Sequence, residues 1–216
     1  MLARSRRLRS FLTAAVPGLA LAWLAVAAPG AHAQTAEAPV RRVGDTWTRS
    51  HGLVITVVRA DERGSVERGH VRQCPTCLSH FDRDGNYTGV VTDAAGGPVD
   101  AAAFPGILVG PGWRFFEWPL ALGKTWLFSG QGYVPGAAVR VFVTASVRQI
   151  EDVETVGGTF RAFKLRYDWE RRGEVGERLA WSTTSWYAPA ARHVVKFTTT
   201  SPTGEEWELV SVRLRP

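Results

Sequence analysis

Two cysteines and two histidines fall within eleven residues, His70-Val71-Arg72-Gln73-Cys74-Pro75-Thr76-Cys77-Leu78-Ser79-His80, and the chain holds no further cysteine. Four chemistries suit such a segment. In an oxidising compartment the expected one is a local disulfide between Cys74 and Cys77 that pins a loop. Thioredoxin-type redox work needs the first thiolate at a helix N-terminus, but the hairpin-like Phe81-Asp82-Arg83-Asp84-Gly85 follows here. Covalent haem needs histidine directly after the second cysteine, where Leu78 stands. Zinc held by Cys74, Cys77, His70 and His80 has a suitable donor set but draws every ligand from one short stretch. The expectation is therefore a disulfide, with no metal and no cofactor.

Other candidate groupings reduce to simpler physics. Asp82, Asp84 and Asn86 occupy positions one, three and five of a calcium-loop pattern, and Asp93 position twelve, yet Tyr87 replaces the glycine of the sharp turn; a polar hairpin turn is expected. The chain has no Gly-x-Ser-x-Gly elbow, and His51 and His193 read as half-exposed strand histidines. Glu151, Asp152 and Glu154, like Glu205, Glu206 and Glu208, read as solvated acids near turns. No catalytic residue is assigned, and a non-enzymatic protein is expected. A metal- or thiol-dependent enzyme centred on residues 70–86 is the alternative.

The elements that must position these residues are strands. Val139, Val141, Val143, Ala145 and Val147 alternate with Arg140, Phe142, Thr144, Ser146 and Arg148, a period of two that no helix produces. After a Gly157-Gly158 turn, Phe163, Leu165, Tyr167 and Trp169 alternate with Lys164, Arg166, Asp168 and Glu170, so the two segments should pair. A turn is expected over Glu170-Arg171-Arg172-Gly173-Glu174, then strands at 179–187, 193–200 and 206–214, the last with a bulge where the apolar phase shifts between Leu209 and Val210. Upstream, 53–58 reads as a buried strand and 65–72 and 77–82 as weaker ones, and Asp84-Gly85 marks a hairpin into 87–91. The fold class is all-β: an antiparallel meander of about five or six strands that forms a half-barrel or barrel.

One apolar face of such a meander must be covered. Residues 92–119 are rich in Gly, Ala and Pro and read as an irregular connection carrying Phe104, Trp113, Phe115, Phe116 and Trp118. This aromatic loop is expected to cover the sheet. Trp113, Phe115, Phe116 and Trp118 would form the lip of an apolar binding surface, with Trp181 and Trp186 on the sheet; the competing reading is that the rings only fill the core.

Several short motifs of the C-terminal half, Trp118 to Trp126, Gly158 to Lys164, Trp186-Tyr187-Ala188-Pro189 and Val194-Val195-Lys196, resemble those of exported bacterial proteins of unknown function. The resemblance spans about 43–214 and implies a β-rich half-barrel, broadly similar in shape to periplasmic carriers of lipoproteins and lipids. It brings no catalytic residues.

The N-terminus supports export. Arg4, Arg6, Arg7 and Arg9 precede an apolar stretch from Phe11 to Ala28, broken by Pro17-Gly18, and Ala31-His32-Ala33 offers a small-x-small cleavage site. Residues 1–33 read as a signal peptide, 34–42 as a flexible lead-in and 43–216 as a single β domain. The pair Arg6-Arg7 resembles a twin-arginine signal, but Arg9 stands where such signals carry an apolar residue. Of the 26 Lys and Arg, four lie in 1–33, and none of the 20 Asp and Glu does, so the mature chain keeps 22 against 20. That balance is no nucleic-acid footprint. The expected product is periplasmic or secreted and lacks an integral membrane span. It would bind an apolar small molecule or an envelope protein, the latter through an exposed strand edge.

Overall fold

The alternation read at 139–148 is the middle of a 19-residue strand in a computed structural model that describes residues 35–71, 74–99, 108–109, 112–134, 137–172, 178–201 and 204–216. The expected signal peptide, Phe104 and the Gly173-Glu174 part of the expected turn lie outside the described residues. Fourteen strands are described: β1 (Thr35–Ala36), β2 (Thr46–Arg49), β3 (Val54–Asp61), β4 (Gly64–Arg68), β5 (Leu78–Asp82), β6 (Tyr87–Thr92), β7 (Leu108–Val109), β8 (Leu120–Ala121), β9 (Thr125–Val134), β10 (Ala137–Thr155), β11 (Gly158–Arg172), β12 (Arg178–Ala188), β13 (His193–Thr199) and β14 (Trp207–Arg213). No helix among the described residues is long and apolar enough to cross a membrane.

The fold is all-β and antiparallel. Twelve strands form one sheet in the order β6-β5-β4-β3-β2-β14-β13-β12-β11-β10-β9-β7, and β1 pairs separately with β8. The run from β10 to β14 is the expected meander, and β9, not read from the sequence, extends it to six strands in chain order. The sheet is not closed: edge strands β6 and β7 approach each other without pairing. An open half-barrel, not a closed barrel, is the outcome. The N-terminal strands do not form a separate cover. They continue the same sheet, because β14 pairs with β2.

The bulge expected at the Leu209–Val210 phase shift is present, as the β14–β2 register slips between Leu209 and Ser211. A second slip between Val147 and Gln149 leaves Arg148 as the extra residue of β10. Within the lead-in read at 34–42, Thr35 and Ala36 pair with Ala121 and Leu120, and Ala36 is buried.

Two clusters of buried side chains hold the sheet. The first contains Val141, Val143, Ala145, Val147, Phe163, Leu165, Tyr167, Trp169 and Tyr187 together with Trp113, Trp126 and Phe128. The second contains Trp47, Ile55, Val57, Val153, Ala162, Ala188, Val195 and Leu209. Successive residues of a strand point to opposite faces. Ala162 and Phe163 therefore deliver their side chains to opposite faces, and so do Ala188 and Tyr187. Strands β11 and β12 bury one face along most of their length and the other face at the end nearer Phe160 and Ala188. Burying both faces spares those long strands an exposed apolar stripe.

Candidate functional site

The aromatic segment 112–118 lies against the first cluster. Trp113 is 1% exposed and packs with Phe115 (ring centroids 6.2 Å), Phe128 (6.4 Å) and Trp169 (6.5 Å). Gly130 of β9 permits that seat, since a Cβ there would stand 2.5 Å from the indole. Phe115 meets Phe128, Tyr167 and Trp169, and its carbonyl accepts a hydrogen bond from the Tyr167 hydroxyl at 2.9 Å. Trp181 stacks on Trp169 with centroids 5.6 Å apart and planes 7° apart. Trp186 belongs to the second cluster, where its Nε1 donates to Glu151 at 2.7 Å. Five of the six rings singled out in the sequence thus share one cluster, and Trp186 does not join them.

Phe116 and Trp118 join the cluster as partly buried rings. They stack on each other (5.2 Å) and both pack against Tyr187 (5.3 and 5.1 Å). The segment is tied to the β5–β6 turn at two places: Trp118 Nε1 donates to the Asp84 carbonyl at 2.6 Å, and Asn86 exchanges two hydrogen bonds with the Phe116 backbone. The turn has its own scaffold, because Asp82 Oδ1 accepts from the backbone N–H groups of Asp84 and Asn86. That is the polar hairpin turn expected from the calcium-like pattern.

Between turn and segment runs an open groove of about 580 Å³, whose lining includes Asp82, Asp84, Asn86, Tyr87, Trp113, Phe116, Trp118 and the charged pair Arg114 and Glu117. The volume falls within the usual range for small-molecule sites, about 300–1,000 Å³. The Tyr87 hydroxyl is buried without a hydrogen-bond partner, and burial pushes its pKa up to about 12. It therefore keeps its proton at neutral pH and has an unused donor.

A second constellation escaped sequence reasoning. Glu67 on β4 is fully buried; its Oε2 lies 2.6 Å from His70 Nε2, while Oε1 accepts from Ser65 Oγ at 3.3 Å and faces Arg41 Nε at 3.3 Å. Gly69 makes the approach of His70 possible: its φ is +94°, and a Cβ would stand 2.1 Å from the Val54 carbonyl. His193, at the start of β13, is 5% exposed rather than half-exposed, its ring 4.7 Å from Trp47 and 6.1 Å from His70. Strands β4 and β13 are four places apart in the sheet, so their side chains meet only because the sheet curls. Burial lowers the pKa of His70 and, further, that of His193, where Arg41 and Arg49 act in the same direction. Burial alone would raise Glu67, but Arg41 and the His70 bond hold it well below the usual carboxylate range.

Cys74 and Cys77 are disulfide-bonded, with Cα atoms 5.3 Å apart. Neither sulfur is a thiolate, so the four-ligand zinc reading of 70–80 loses two of its donors. His80 instead meets Thr92 Oγ1 at 3.2 Å.

No protein-family model and no curated protein sequence matches this chain. Three solved structures are similar to it: a protein assigned as exported with a YmcC-like fold from Bacteroides fragilis, the hypothetical lipoprotein YmcC from Escherichia coli, and a protein assigned as a lipoprotein from Parabacteroides distasonis. Their identities to this chain are 16%, 10% and 12%, they cover 83%, 80% and 83% of it and 99%, 89% and 99% of their own chains, and each TM-score is 0.40. None of the three carries a stated activity.

Proposed function

We propose that this chain is an exported, non-enzymatic protein of the cell envelope that binds an apolar ligand with a polar end in the groove between the β5–β6 turn and segment 112–118. The observation that carries the reading is the groove itself, about 580 Å³ of open space between a polar hairpin turn and an aromatic segment. Phe116 and Trp118 supply the apolar wall, and Asp84, Arg114 and Glu117 keep the mouth polar. Export rests on the three-zone N-terminus, with Gln34 as the first mature residue. Docking of an envelope protein along a strand edge has less support, since β6 and β7 are short and approach each other.

Titration of the mature protein with a fluorescent fatty acid tests the reading. Saturable uptake is expected, and Phe116→Ala with Trp118→Ala should weaken it at least about tenfold while the fold persists, because both rings are only partly buried. Trp113 is unsuited to this test, being core. Absence of uptake by the unmodified protein, or uptake indifferent to the two substitutions, would overturn the assignment.

A further inference from the structure

We propose that Glu67, His70 and His193 form a binding site for one zinc-class divalent ion, independent of the groove. Their ligand atoms all lie within 4.8 Å of one another, although Glu67 and His193 come from strands four places apart in the sheet and His70 follows β4. A tetrahedral zinc site with bond lengths of about 2.0–2.2 Å sets its ligand atoms about 3.4 Å apart, so this group needs adjustments of roughly an ångström.

The surroundings orient the donors as the partners of a metal centre do. His193 Nδ1 donates to the Val194 carbonyl at 2.8 Å, which leaves Nε2 with the lone pair. Ser65 and Arg41 occupy Glu67 Oε1 and leave Oε2 as the ligand atom. His70 Nε2 now holds the proton shared with Oε2. On binding, that ring proton moves to Nδ1 and Nε2 coordinates in its place, so the imidazole stays neutral and no net charge is displaced.

The donor set selects the ion. The site offers one carboxylate and two imidazoles, and the carboxylate already faces the Arg41 guanidinium. Calcium and magnesium depend on several oxygen ligands and find one carboxylate here. Zinc, copper and nickel gain from imidazole nitrogen, and the guanidinium charge opposes all of these divalent ions alike.

The test uses the mature, disulfide-intact protein, stripped with a chelator and titrated by calorimetry with Zn²⁺, Ca²⁺ and Mg²⁺. One Zn²⁺ per chain is expected, with a raised unfolding temperature and no response to Ca²⁺ or Mg²⁺. His193→Gln and His70→Gln should each weaken Zn²⁺ binding at least about tenfold, and His80→Gln should not. His70 is the less buried of the two ligands, so its variant keeps the test decisive if His193→Gln fails to fold. Co²⁺ substitution should give the visible absorption of a tetrahedral nitrogen–oxygen site. Absence of stoichiometric Zn²⁺ binding, or undiminished binding by His70→Gln, would overturn the proposal.

Discussion

Asn86 and Phe116 hold each other by two hydrogen bonds: the Phe116 N–H donates to Asn86 Oδ1 at 2.7 Å, and Asn86 Nδ2 donates to the Phe116 carbonyl at 3.0 Å. A side-chain amide thus does for an irregular segment what a neighbouring strand does for a regular one. Only Asn and Gln carry a donor and an acceptor in that arrangement. Asn86→Ala should cost about 2 kcal/mol, at about 1 kcal/mol for each bond, and Asn86→Asp about half of that, since it keeps the acceptor. Denaturant unfolding measures the cost, and hydrogen exchange at the Phe116 amide should accelerate in both variants.

Tyr87→Phe should harm neither stability nor uptake. The hydroxyl has no partner to lose, so the variant should be as stable as the parent or slightly more so. The same atom is closed off from the groove, so uptake of a fluorescent fatty acid should be unchanged. Denaturant unfolding and probe titration check both outcomes, and a loss of uptake would show that the hydroxyl reaches the ligand.

Reducing Cys74–Cys77 should matter modestly. A disulfide that closes so short a loop removes only about 2 kcal/mol of unfolded-state entropy. Cys74→Ser with Cys77→Ser should therefore fold at neutral pH with a lowered midpoint. Without reductant, alkylation of the native protein should label neither cysteine.

Stability of the metal-free protein should decline on acidification below about pH 6.5. His70 and His193 have folded-state pKa values below the ordinary 6.5, so the unfolded chain binds their protons first as pH falls. The stabilisation is fully present above 6.5 and is lost toward the folded values, with a limiting slope of about 1.4 kcal/mol per pH unit for each histidine. Glu67 has a depressed pKa and stays ionised through this window, and Arg49, lowered by burial to about 10, remains cationic. Equilibrium unfolding from pH 7.5 to 5 should show the slope, and His70→Gln should reduce it.

How much of this was legible in the sequence depended on whether the signal was local. The alternation at 139–170 defined β10 and β11, and the phase shift at Leu209–Val210 marked a bulge, because both follow from the two-residue period of one strand. The hairpin at Asp84-Gly85 and the disulfide were local too. Strand β9 was missed because its glycines and the exposed Leu127 blur the alternation. The opposite-face use of Ala162 and Phe163 looks in sequence like a plain apolar pair. Sequence reasoning grouped Trp186 with the other rings, although the two-residue period sets Trp181 and Trp186, five positions apart on β12, on opposite faces. The meeting of Glu67 with His193 needs strands β3, β2 and β14 in place between them and a curled sheet, which no window of residues contains.

Native mass spectrometry of the protein taken from cells that export it tests the groove most directly. The account predicts a mature chain beginning at Gln34, two mass units lighter than its reduced form, with a noncovalent adduct of lipid size on the unmodified protein that is lost in Phe116→Ala with Trp118→Ala. A bare unmodified chain, or an adduct that persists unchanged in the double variant, would contradict it.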